Sequence, residues 1–533
     1  MNFDSLAYLA FLASVYVLYR ALTLHGQNLG LLVASLLFYG CWDSRFLLLI
    51  LSSTALHFCA GLLIDRGRIT RQEAARVGLF LAICAPLSAL VDWRQLICGR
   101  LVLITTAAWP LAIFCLAVAL GGAACLWLPK VCKARRRLIS LVASLSGSLG
   151  ILAFFKYADF MVGSAGDLIN VMGGHAVEWH LDIVLPVGIS FYTFQTMGYT
   201  IDVYRGKLSA SDRIVPFALF VAYFPQLVAG PIERATHLLP ILSRARSVSW
   251  SQSVEGVYLI VFGLFKKVAI ANGVAPAVNS VYSGSSNSSA IDIAMATVLF
   301  AIQILCDFSG YSDIARGTSR ILGIELMRNF RVPYMARNPG DFWRRWHISL
   351  SSWFRDYLYI PLGGNRGGAL STYRNLAITM VLAGLWHGAA WNFLLWGAFH
   401  GALLCLHRLM FGSSNETSSG LLSHGLAAIG FFFLACYGWL LFRAESLSQI
   451  VEFTTALATG AGSLSHQISM PKLAAVLGIP LLVAVEVMDY RQGIRSVYLR
   501  ASPMQRGLFL ATTLFVLLVG TGNAPQQFIY FQF

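Results

Sequence analysis

The sequence predicts an all-α integral membrane protein with many spans. Two observations carry this. Hydrophobic residues make up 57% of the 533 and charged residues only 12%, where a soluble domain carries about 25% charged residues. The apolar residues also fall into repeated runs near the length of a membrane crossing, about 20 residues. These runs lie near 5–22, 28–42, 45–64, 77–91, 101–128, 138–155, 182–204, 215–232, 253–275, 290–306, 374–406, 421–442, 473–489 and 507–521. Allowing for re-entrant and interfacial segments, this gives about eleven to fourteen membrane helices. Without water in the bilayer core, only helices satisfy the backbone in such runs.

The connectors agree with this reading. Lysine and arginine outnumber aspartate and glutamate by 39 to 24. The excess sits in short links such as Arg66, Arg68, Arg71 and Arg76, and then Lys130, Lys133, Arg135, Arg136 and Arg137. Basic links mark the cytoplasmic side and attract anionic lipid. The charge therefore does not imply nucleic acid. The ten cysteines are scattered without CxxC pairs. They read as small buried hydrophobes, and no metal site is expected. The first span starts directly, without a cleavable-signal pattern, so it is expected to be retained. Polar stretches at 280–289, 412–420 and 460–470 punctuate the chain as loops. The segment 71–132 stands apart as a hydrophobic pair flanked by basic residues, an added helical hairpin. No internal repeat is visible, which weighs against a transporter built from two matching halves.

Residues 335–366, MARNPGDFWRRWHISLSSWFRDYLYIPLGGNR, hold the first candidate chemistry. Asn338-Pro339-Gly340-Asp341 is a helix-start signal. A helix over 342–357 puts Trp343, Trp346, Leu350, Trp353, Phe354 and Tyr357 on one face, with Arg344, His347, Ser351 and Arg355 on another. Pro361-Leu362-Gly363-Gly364 ends it. By itself the pattern fits an interfacial anchor or the mouth of a path for an anionic donor.

The second candidate is AGLWHGAAWNF at 383–393. No charged side chain occurs between Arg374 and Arg408, so His387 is an ionisable group inside a long apolar run. Such a residue defaults to a functional hypothesis. The Gly384–Gly388 and Gly397–Gly401 spacings let helices approach closely. A buried neutral imidazole suits proton abstraction from an attacking hydroxyl. The same residues also fit a histidine that only bonds a neighbouring helix. His400 and His407 share a face and read as structural or interfacial.

In CDFSGYSDIARG at 306–317, Asp307 and Tyr311 stand one turn apart and can meet. The cluster fits either self-satisfied polar groups, with Asp313 pairing to Arg316, or a layer behind a reaction chamber. Pro186 and Gly188, then Pro225, Gly230 and Pro231, interrupt apolar segments. They read as walls of an internal path or as ordinary kinks.

Together these motifs resemble the membrane-bound O-acyltransferase family, and within it the bacterial alginate O-acetylation branch. The resemblance rests on DFWRRWHISLSSWFRDYLYIPLGGNR and AGLWHGAAWNFLLWGAFHG. LPVGISFYTFQTMGYTIDVYRG, FPQLVAGPIER, CDFSGYSDIARG, LLVASLLFYGCWDSRFLLLILS and the terminal FIYFQF fit it as well. It covers nearly the whole chain. It implies a ring of helices around a central tunnel through a thinned bilayer, as one polytopic domain over 1–533 with a core at 182–410. The family's invariant histidine falls on His387 and its second histidine on His347. Arg344 and Arg345 would face the donor's phosphates, and Trp386, Asn392, Asp307 and Tyr311 would line the tunnel. The implied activity is transfer of acetyl from a cytoplasmic donor, acetyl-CoA, through the inner membrane, with no bound cofactor. The end product is an O-acetylated exopolysaccharide or other surface glycan. A periplasmic hydrolase-like acetyltransferase partner completes the transfer. The competing functions are a transporter or flippase without bond chemistry and a scaffold for polysaccharide export. The segment 71–132 is longer than its counterpart in the family.

Overall fold

The computed structural model describes residues 3–529 apart from 94, 96–101, 103–107, 175–180, 182, 228–229, 284–287, 413–420, 461–467, 493–500, 523–525 and 527. Most of the polar stretch 412–420 and the last four residues of the FIYFQF motif lie outside the described residues. The described residues are helical, with no strand among them. Eight of their helices are long and apolar enough to cross a membrane, the longest being Leu24–Asp65, Lys133–Val171 and Ala290–Ile321. Leu6–Ala21 and Ile214–Leu227 are shorter and apolar. The chain is a multi-pass, all-α membrane protein. Its residues form two compact units: Met1–Ser253 with Thr318–Leu326, and Val254–Gly317 with Met327–Phe533.

In the first unit, the helix segment Leu47–Asp65 packs against Lys133–Leu152 and Ile189–Tyr204. A polar seam joins them. His57 is fully buried, with Nδ1 at 2.6 Å from Thr200 Oγ1 and Nε2 at 2.7 Å from Ser148 Oγ. Ser53 and Thr196 meet one turn away at 3.3 Å. Because lipid is as apolar as leucine, contacts of this kind and close packing hold membrane helices together. The interrupted segments foreseen at 186–188 and 225–231 are present. The first helix begins only after Gly188, at φ 73°, and a Cβ there would lie 2.3 Å from the Leu227 carbonyl oxygen. The Phe220 carbonyl accepts from the side-chain amides of Gln195 and Gln226 at 2.6 and 2.7 Å. A broken helix keeps its polar groups satisfied in this way. Helices Arg71–Leu90 and Ala108–Trp127, from the segment 71–132, also belong to this unit. Thr70 and Glu73 form a capping box at the start of the first.

In the second unit, Trp250–Leu264 crosses Ala290–Ile321 backbone against backbone. A Cβ on Gly263 would sit 2.6 Å from the Gly310 oxygen, and one on Gly317 would sit 2.5 Å from the Gly256 oxygen. The run 253–275 is not one regular helix. A π-helical turn at Phe265–Ala271 points Lys266 and Lys267 at the long helix, where they pair with Asp313 (2.5 Å) and Asp307 (2.7 Å). That helix extends well beyond the expected 290–306. The polar run 306–317 therefore lies inside it and not at its end.

Candidate active site

The aromatic stripe at 342–357 does not form a continuous helix. Asn338 does cap a start, accepting the Asp341 N–H at 2.7 Å, but the helix Pro339–Trp343 stops after five residues. A second helix, Ile348–Phe354, begins after His347. His347 sits in the left-handed region at φ 41°, a conformation a non-glycine residue adopts at a cost of about 1–3 kcal/mol. Asn329 holds the break. Its carbonyl accepts the Ile348 N–H at 2.9 Å, and its side-chain oxygen accepts from Ser349 at 2.6 Å. Arg344, His347, Ser351 and Arg355 consequently do not share one helical stripe. The turn instead drives His347 inward to full burial. Burial pushes its imidazole down to about 3, so the ring is neutral near pH 7.

The expected single span 374–406 is likewise two helices, Ala369–His387 and Trp391–Phe411. Gly388 is extended, and a Cβ there would lie 2.0 Å from the Phe393 ring. The glycines work across the pair. A Cβ on Gly384 would fall 2.2 Å from the Phe393 oxygen, and one on Gly397 would fall 2.4 Å from the Met380 oxygen. The hairpin therefore closes with its backbones in contact. His387 is the last residue of the first helix and only 3% exposed.

These two breaks create a row of alternating imidazole and indole rings. Trp386 lies edge-on to both His347 (6.0 Å between centroids) and His387 (5.1 Å). Trp396 lies edge-on to His387 at 5.0 Å and stands 4.8 Å from His400. Phe442 closes the third side of His387 at 5.4 Å, and Phe308 packs edge-on to His347 at 4.7 Å. Aromatic rings wall the site and pack against both candidate histidines. His400 is buried against Phe342, the two rings parallel and 6.0 Å apart. Neither of its nitrogens has a hydrogen-bond partner among the described residues. His407 is half-buried against Phe411.

The other candidates divide. Arg344 is largely exposed, 3.6 Å from Asp341. Arg345 is tied down, pairing with Asp341 at 2.9 Å and lying over the Tyr490 ring. The Asn392 amide is spent on the carbonyls of Phe442 and Ala444, at 3.3 and 3.0 Å. It braces the helix that carries Phe442. Asp307 and Tyr311 do share a cluster, brought together by Lys267, whose Nζ pairs with Asp307 and lies 5.4 Å from the Tyr311 ring. Asp313 pairs with Arg316 at 3.3 Å as well as with Lys266. Lys266, Lys267 and Asn329 escaped the sequence reading. Two adjacent lysines inside the apolar run 253–275 were the available signal for the first two. No group of three or more histidine, cysteine or acidic residues that could hold a metal occurs among the described residues.

A buried histidine at a helix break, boxed by rings, is the candidate site of this multi-pass helical protein. Comparison with known proteins gives the class. The family profile described as MBOAT, membrane-bound O-acyltransferase family, matches residues 207–447. The chain is 40% identical over 352 residues to the probable alginate O-acetylase AlgI of Azotobacter vinelandii, covering 66% of this chain and 68% of that one. It is 34% identical over 416 residues to the corresponding Pseudomonas putida protein, covering 74% and 84%. The peptidoglycan O-acetyltransferase of Helicobacter pylori is 35% identical over 341 residues, 58% of this chain and 63% of that one. The protein is an acyltransferase, and it belongs to the membrane-bound O-acyltransferase family.

Proposed function

We propose that this protein is an O-acetyltransferase of the inner membrane. It moves acetyl from cytoplasmic acetyl-CoA towards the outer face, for O-acetylation of an exopolysaccharide of the alginate type or another surface glycan. The observation that carries the reading is His387, a buried imidazole at the end of a broken helix, held by Trp386, Trp396 and Phe442. The names of the relatives, alginate O-acetylases and a peptidoglycan O-acetyltransferase, support acetyl as the group and a glycan as its destination.

In this mechanism His387 is the general base. It accepts the proton of the acceptor hydroxyl as that oxygen attacks the thioester carbonyl. The new carbon–oxygen bond forms, the carbon–sulfur bond breaks, and the proton passes to the departing sulfur, leaving free CoA thiol. The aromatic box excludes water, which protects the thioester from hydrolysis. Trp386, touching both imidazoles, sets their relative orientation. His347 serves the donor side as a neutral hydrogen-bonding group, and exposed Arg344 meets the donor's phosphates. A separate periplasmic hydrolase-like acetyltransferase takes the acetyl onward to the polymer.

The test compares the O-acetyl content of surface polysaccharides in cells carrying the intact chain, no chain, and His387→Ala at matched membrane levels. Equal loss in the last two is expected, and the depleted polymer identifies the acceptor. Normal acetylation with His387→Ala would refute the role of His387. Purified protein that leaves labelled acetyl-CoA intact in the presence of acceptor would refute the donor.

A further inference from the structure

Lys267 and Asp307 form a deeply buried ion pair, with side chains 1% and 4% exposed and 2.7 Å between charged atoms. Asp307 lies in the middle of Ala290–Ile321, a helix long and apolar enough to span. Charges at such positions mark function more often than stability. This pair does more than neutralise itself. Asp307 Oδ2 accepts the backbone N–H of Ile529 at 2.7 Å, and Lys267 Nζ donates to the Gln526 carbonyl at 3.0 Å. The backbone groups of Gln526 and Ile529 that these side chains meet need such partners away from water. Between those two bonds Phe528 is buried against Tyr311 at 4.4 Å and Phe308 at 5.8 Å. Phe308 in turn is the ring packed edge-on to His347.

We propose that Lys267 and Asp307 latch the C-terminal segment as a strap, and that the strap, through Phe528 and Phe308, positions the His347 ring. His347 needs such backing because its left-handed backbone persists only where the surroundings over-determine it. The acetyl-transfer consequence rests on the function proposed above, but the latch does not. Lys267, Asp307 and Phe528 are positioning residues and touch no reacting atom.

The test is the double variant Lys267→Met/Asp307→Leu, which removes both charges together and so leaves neither buried unpaired. In the purified full chain, amide exchange of the 526–529 segment is expected to rise at least about tenfold, reflecting the lost Ile529 bond. Acetyl transfer from acetyl-CoA is expected to fall by a similar factor, with the thermal midpoint little changed. Unchanged exchange would overturn the latch, whatever the donor proves to be. Faster exchange with normal transfer would overturn the positioning of His347. A charge swap, Lys267→Asp/Asp307→Lys, decides the case if the first variant does not fold. It restores the ion pair, but a lysine at 307 cannot accept the Ile529 N–H, so exchange stays fast and transfer stays low. Full transfer in the swap would show that the pair only neutralises buried charge, and the proposal would fall.

Discussion

Two helical hairpins of this protein look alike in composition and differ in almost everything else. Ala369–His387 with Trp391–Phe411 and Arg71–Leu90 with Ala108–Trp127 are each two apolar helices of about five turns. In the first, Gly384 and Gly397 stand where a Cβ would strike backbone at 2.2 and 2.4 Å. In the second, a Cβ on Gly78, Gly121 or Gly122 would meet nothing within 4 Å. The second hairpin exposes Leu79, Ile83, Leu116 and Leu120, as a lipid-facing surface does, while the first buries Trp396 and His400. In each hairpin the second helix is long and apolar enough to cross a membrane. Only the backbone contact at small residues, together with an ionisable group beside it, separates a built site from a lipid-facing pair.

The sharpest way to break the comparison is at His387. Its replacement by alanine should lower acetyl transfer by about 10²- to 10⁴-fold, the usual worth of a general base, with the chain still present in the membrane. Assay of acetyl-CoA turnover in matched membranes checks this. A loss below tenfold would reduce His387 to a packing residue. Next in size is Gly384→Val, which forces a side chain into the Phe393 carbonyl. It should destabilise the folded state by about 3 kcal/mol or more, seen as depleted protein in membranes or a depressed thermal midpoint. Normal levels and midpoint would mean that the hairpin does not close on its backbone.

The same contrast shows what the residues disclosed unaided. The helical spans were legible because length and apolarity decide them. His387 and His347 were legible as motif residues, but their surroundings were not. The periodicity over 342–357 is a good helix pattern. What interrupts it is Asn329, some twenty residues away in sequence, bonding Ile348 and Ser349. No local signal announces a left-handed histidine. Gly388 did carry a local signal, but its spacing from Gly384 suggested helix packing and hid the break. Asp307 was legible as an odd charge in an apolar run, whereas its partners, Lys267 and the backbone of Ile529, required the tertiary structure. Local pattern names the elements, and long-range pairing decides where they bend.

A smaller effect tests the inward turn of His347. Burial lowers its pKa to about 3, below the unfolded value of about 6.5. The unfolded chain therefore binds the extra proton first as pH falls, and stability is lost from about pH 6.5 downward towards 3. At pH 5 this amounts to about 2 kcal/mol. His347→Asn tolerates the left-handed backbone and removes the titrating group. The drop in thermal midpoint between pH 7 and pH 5 should therefore be shallower in the variant than in the intact protein. Equal drops would mean that the ring is hydrated and not buried.

The smallest expected effect lies in the outer hairpin and bears most directly on the comparison. Gly121 is inside the helix Ala108–Trp127 with open space where a Cβ would stand. Alanine there should stabilise the helix by up to about 1 kcal/mol, since glycine loses more conformational freedom on folding. It should leave acetyl transfer untouched. A thermal melt and a turnover assay on the same sample give both readings. If Gly121→Ala instead lowered transfer at normal stability, this face would be occupied in the cell by another protein that needs close approach. The outer hairpin would then resemble the inner one after all, with its facing partner supplied from outside the chain.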